Sequence, residues 1–228
     1  MKYAQPFTLL YLLLCTAAVA AQQPIGLDVN ANIADLTAAL DGPQARISNV
    51  TLTCPEGAYA IFTADGTDLG QGNGVLLTTG KALNALGPND DQRAGNEPTP
   101  ARLPGDGDLD ALSALFGDNT NSIDACVLEM DVVSETDEIV FDYTFGSDEY
   151  PEFANDPDRF NDIFALLISG PGITPTPGLG NQRNIAVLPN AAATVVQIDS
   201  VNGSFNSEFF RDNTGGLSVE YDGLTGAM

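Results

Sequence analysis

Six carboxylates fall within fifteen residues of this chain, between two apolar runs: Asp148, Glu149, Glu152, Asp156, Asp158 and Asp162. Two carboxylates about 4 Å apart repel by roughly 4 kcal/mol at an effective dielectric near 20, so such a cluster has to be solvated, protonated or bound to a cation. The hard-cation reading uses Asp148, Glu149, Glu152, Asn161 and Asp162, which offer the carboxylate and amide oxygens that calcium takes in sets of six to eight. Histidine is absent and the thiols are not clustered, which disfavours a transition metal. Calcium is therefore the candidate cofactor. The competing reading is a solvated acidic turn closed by Tyr150-Pro151 and Phe153.

A weaker metal signal is Asp106-Gly107-Asp108-Leu109-Asp110, which resembles the start of a calcium loop but lacks the downstream bidentate glutamate. Its competing reading is a helix N-terminus, with Asp108 as the cap and Asp110 in the first turn. A third chemistry is hydrolysis of a glycosidic bond by the pair Glu149 and Glu152. A carbohydrate cleft normally offers aromatic platforms, and the chain has no tryptophan. Without histidine there is no His-based triad, and no nucleophile elbow or phosphate loop is present. The expectation is a protein that is not an enzyme, with no catalytic residue assigned.

The elements that must position the acidic loop are strands. Phe141, Tyr143 and Phe145 alternate with Asp142, Thr144 and Gly146, the period of a half-buried strand with Asp142 outward. Ile163 to Ile168 reads as a buried apolar strand ended by Ser169-Gly170-Pro171-Gly172. Further strands are expected at 47–53, 58–63, 74–79, 185–188, 194–201 and 217–221. A hairpin is expected from 125–133 and 138–145 around Ser134-Glu135-Thr136-Asp137, with Met130 in the core. Residues 27–40 read as a short amphipathic helix and 109–116 as another, while 84–107 reads as a long surface loop. Many short strands with turns between them predict an all-β fold, an antiparallel, jelly-roll-like β-sandwich with one or two short helices. The strand-like run that begins at Val219 stops at Met228, which predicts an unpaired edge there.

Residues 1–21 read as a secretory signal peptide: Lys2 supplies the charge, Phe7 to Val19 the apolar stretch, and Ala18-Val19-Ala20 the small-residue cleavage site. Residues 22–228 then form one domain. The net charge of −23 argues against nucleic acid and anionic membrane surfaces as partners. With 43% apolar residues in patterned runs, the acidity does not mean disorder. Beyond the leader two cysteines remain, Cys54 and Cys126, and in an exported chain such a pair reads as a disulfide. Two free thiols are the alternative. Closing a loop of about 70 residues would stabilise the fold by roughly 4 kcal/mol.

Several motifs stand in order along the chain: GVLLTTGKALNALGPN from Gly74, GDGDLDAL from Gly105, DACVLEMDV from Asp124, FDYTFGSDEYPEF from Phe141, FNDIFALLISGPG from Phe160, NIAVLPN from Asn184 and VEYDGLT from Val219. Together, over roughly residues 30–228, they resemble the bacterial choice-of-anchor L domain. The resemblance implies an exported bacterial domain, at the cell surface or outside the cell, that brings no enzymatic activity. Its implied work is adhesion or surface and matrix assembly, with an extracellular protein or glycan as partner. Members usually continue past the YDG(L/F)T segment into more strands and an anchor, so this chain reads as truncated at its C-terminus and its own anchor as missing. Cys126 stands where members often carry a small residue, so the disulfide reading is local to this sequence. In a bacterial protein Asn49-Val50-Thr51 and Asn202-Gly203-Ser204 read as chance glycosylation matches. The alternative function is a secreted carbohydrate-active enzyme or lectin-like binder using the 148–162 loop.

Overall fold

The computed structural model describes residues 23–228, apart from 68, 92–102, 118–120, 156–159 and 191. The leader segment, Asp156 and Asp158 lie outside the described residues. The chain is mainly β. Its strands are β1 (Gly26–Asp28), β2 (Ala45–Thr53), β3 (Tyr59–Thr63), β4 (Asn73–Leu77), β5 (Val127–Ser134), β6 (Gly146–Ser147), β7 (Leu167–Ile168), β8 (Arg183–Asn184), β9 (Phe210–Asp212) and β10 (Gly223–Thr225). Among the described residues two α-helices accompany them, α1 (Ile33–Leu40) and α2 (Gly107–Leu115).

Among the described residues every strand pair is antiparallel, and the pairs form four small sheets, ordered β1-β3-β4, β6-β10-β9, β2-β5 and β7-β8. The two three-stranded sheets meet through one core, in which Phe62, Ala64 and Ile25 from the first side pack with Val219 and Leu224 from the second. A second core holds Phe145, Tyr150, Leu188, Val196, Ile198 and Val201, with Tyr143, Phe164 and Phe210 against it. Leu112 of α2 joins Leu179 and Val195 in a third.

Local chemistry sets where the helices begin. The expected helix over 27–40 divides: Asp28 accepts from the N–H of Asn30 and ends β1 in a turn, and α1 starts afresh at a capping box formed by Asn32 and Asp35. Leu36 is its fully buried residue. In α2 the cap is Asp106, not Asp108. Its side chain accepts from the N–H groups of Asp108 and Leu109, while Asp110 accepts from the N–H and hydroxyl of Ser122 at 2.6 Å each.

Several strand expectations need correction, and those at 185–188, 194–201 and 217–221 reduce to isolated bridges at Val187, Val195, Gln197 and Val219. The hairpin from 125–133 to 138–145 does not form: β5 pairs with β2, and Tyr143 exchanges backbone hydrogen bonds with Met228. Ser134 does make the expected turn with Thr136, but the chain beyond it departs from β5. The 141–145 stretch is extended without a regular ladder, and the strand proper is Gly146–Ser147. Its alternation nevertheless holds, with Phe145 buried, Phe141 and Tyr143 half-buried and Asp142 exposed. The 163–168 run is half-buried throughout and shrinks to a bridge at Ile163 and the short β7. Met130 is half-buried rather than core. The expected unpaired edge at the end of the chain is also absent, because β10 lies between β6 and β9.

Candidate functional site

The acidic loop begins where β6 ends. Ser147 is buried, and its hydroxyl donates to Asp162 at 2.7 Å while accepting from the N–H of Glu149 at 3.1 Å. One serine thus ties the backbone at the start of the loop to the carboxylate at its end. Tyr150 is fully buried below them and donates to the carbonyl of Val201 at 2.5 Å. Asn161 accepts from the N–H of Asp199 at 3.2 Å. Glu152 is exposed at the rim. Phe153 and Phe160 contact each other edge-on at 4.9 Å, yet both are exposed.

Motif spacing missed a second group of acids. The segment before β10 brings Glu220 and Asp222 against the loop from far along the chain. Glu220 is buried and accepts from the N–H groups of Asp90 and Asp91, the shortest at 2.7 Å. Asp222 accepts from the side chain of Asn89 at 2.9 Å. Asn213, also buried, donates to the carbonyls of Val219 and Tyr221 and fixes this segment. The available signal was the pair of acids inside VEYDGLT, which reads as strand alternation until the fold places it.

The electrostatics follow from crowding like charges in a half-dry place. Burial pushes the Asp148 carboxyl up to about 7, and the charges of Asp222, Glu220 and Glu149 add to it against one backbone N–H of Asp222. Burial also raises Glu149, helped by Asp162 and Glu152. It raises Asp162 too, against the hydrogen bond from Ser147. Glu220 rises by burial, with Asp90 and Asp91 adding repulsion. The Oδ1 atom of Asp148 is buried with no hydrogen-bond partner, as is the Nδ2 atom of Asn161. Among the described residues, no three carboxylates, thiolates or histidines are grouped as a metal shell. Asp106, the weaker metal candidate, spends its carboxylate on capping α2, and Asp108 sits in the first turn of that helix. A cavity of about 260 Å³ beside the loop is lined by Tyr150, Asn155, Asn202, Asp212 and Asp222, and neither Glu149 nor Glu152 faces it.

The ordered motifs are those of a known domain: the family model of the choice-of-anchor L domain matches residues 29–228. The chain belongs to the choice-of-anchor L domain family. No curated protein and no solved structure matches it. Membership of the choice-of-anchor L family makes this a surface-associated, exported protein. Among the described residues no helix is long and apolar enough to cross a membrane. Cys54 and Cys126 form a disulfide, with their Cα atoms 4.0 Å apart, and it clamps the end of the β2–β5 pair next to Thr53 and Val127. In this choice-of-anchor L domain the acidic clasp joins β6, the loop after it and the approach to β10.

Proposed function

We propose that this choice-of-anchor L domain is a non-catalytic module for adhesion or surface assembly, and that calcium stabilises its acidic clasp. The observation that carries the reading is the family match over residues 29–228. Two features support the absence of catalysis: the chain has no histidine, and Glu149 and Glu152 do not line the neighbouring cavity. What supports calcium is a concentration of carboxylates around a buried, unpartnered oxygen of Asp148. A cation there would offset the burial and repulsion that otherwise raise the carboxyls toward their neutral forms.

Protease shaving of intact producing cells, followed by immunoblotting of the surface, medium and cytoplasmic fractions, tests the surface reading. Recovery only in the cytoplasm would overturn it. Calcium is tested separately by thermal melts of the full chain. Calcium at a hundredfold excess over its Kd should stabilise the fold by about 2.7 kcal/mol. Asp162→Asn and Glu149→Gln should lose that gain. Identical melts in calcium and in chelator would remove the ion and leave the surface reading standing.

A further inference from the structure

The β2–β5 ribbon is built unlike the rest of the molecule. Among the described residues its two strands are the longest, nine and eight residues, yet they form a sheet of only two. No residue of β5 is fully buried. A two-stranded ribbon is marginal unless something else covers it. Here the disulfide clamps one end, and α1 packs on β2. Among the described residues, the ladder to β2 is the sole backbone pairing of Val127–Ser134. The other edge of β5 therefore presents a row of backbone N–H and C=O groups.

The two faces of that edge differ. On one, Leu128, Met130 and Val132 are half-buried, with Leu128 across from Leu52 and Val132 across from Ile47 of β2, an apolar strip that remains partly wet. On the other, Glu129 and Asp131 are exposed, and they stand across from the neutral Thr51 and Ser48, with the side chain of Asn49 in the bulge donating to Asp131 at 2.6 Å. The β2 strand offers no equivalent edge. It is broken by a bulge between Ser48 and Thr51, with Asn49 at φ 53°.

We propose that the outer edge of β5 accepts an added strand from another protein, an extended segment alternating cationic with apolar side chains. Backbone hydrogen bonds to β5 would hold it, as in other strand-addition complexes. Its apolar side chains would complete the strip at Leu128, Met130 and Val132. Its cations would stand across from Glu129 and Asp131, where opposite charges in directly facing pairs are favourable. A second copy of this chain is the poorer occupant. It would set acid against acid in that row, and each copy carries a net charge of −23. The disulfide holds the ribbon in register before any partner arrives, which lowers the ordering cost of binding. This inference assigns a partner class to the surface-assembly reading and rests on it.

The probe is an eight-residue peptide alternating valine and lysine, added to the full-length protein and followed by amide hydrogen exchange. Two controls accompany it: one alternating valine and glutamate, and one with the same four valines and four lysines in two blocks. The expected result is at least tenfold slower exchange at the amides of 127–134 that β2 does not engage, with the alternating valine–lysine peptide alone. Glu129→Gln with Asp131→Asn should leave the fold intact and weaken binding at least tenfold. Equal protection by the block peptide would mean attraction to an acidic surface, not strand addition, and would overturn the proposal. So would absence of protection, or prior protection of these amides in a self-associated protein. Surface shaving of the producing cells reads out independently, so failure of the added strand and failure of surface location are distinguishable.

Discussion

Asp148 is the residue at which most of the site's physics meets. Its raised carboxyl, at about 7, lies above the usual carboxylate range. A group whose folded-state value is raised binds its proton more tightly in the folded protein. Stability from it is complete below about pH 4, falls as pH climbs to about 7, and is lost above that. Asp148 is half-buried, so water screens part of the repulsion, and the folded state should lose about 1–2 kcal/mol between pH 5 and pH 8. Asp148→Asn should flatten that profile and raise the melting temperature at pH 8, measured by calorimetry across the range. A profile identical to that of the parent would place the titration elsewhere. The sequence shows the loop's own acids, because they are contiguous. It hides Glu220, Asp222, Asp90 and Asp91, whose approach depends on Asn213 and Asn89 fixing distant backbone.

At the scale of elements, what was legible was whatever depends on short-range chemistry. The strands expected at 47–53, 58–63 and 74–79 are present as β2, β3 and β4, and both helices fall in their expected stretches, though their caps, Asn32 and Asp106, are not those the sequence suggested. Partner choice was not legible. Ser134 and Thr136 make a turn, yet β5 pairs with β2 because the disulfide and a seven-pair register join those strands. Closing a loop with a sequence separation of 72 predicts that Cys54→Ser with Cys126→Ser costs about 4 kcal/mol, read as a lower denaturant midpoint. An unchanged midpoint would show that the ladder alone suffices. The close approach of β10 to Tyr150 makes a second test. A Cβ at Gly223 would run into the Tyr150 and Phe210 rings, so Gly223→Ala should destabilise by about 1–3 kcal/mol through overpacking. Wild-type stability in that variant would mean the rings yield freely.

Across the whole molecule, charge of one sign dominates. With a net charge of −23, self-repulsion opposes the compact state. Raising sodium chloride from about 0.1 M to about 1 M shortens the screening length from about 10 Å to about 3 Å. The melting temperature should therefore rise by several degrees, with most of the gain at the low end of the salt range. A melting temperature indifferent to salt would mean that the carboxylates lie too far apart to strain the fold. The overall class, mainly β with two short helices, was readable from turn spacing and strand period. The division into four small sheets was not, because it is decided by contacts between segments far apart in the chain.

The placement of β10 sets the order in which the molecule can be finished. Strand β10 is the middle strand of its sheet and is synthesised after both neighbours, β6 and β9. While the chain emerges, Gly146–Ser147 and Phe210–Asp212 have no third strand to join them, and the pocket for Leu224 stands open. For an exported chain delivered N-terminus first, that interval falls outside the compartment of synthesis, where unpaired edges and bare apolar surface invite aggregation. Completion then depends on pairing residues far apart in sequence, which is intrinsically slow. The residues of β10 act as a keystone for this sheet, and the half-built sheet must be kept soluble until they arrive.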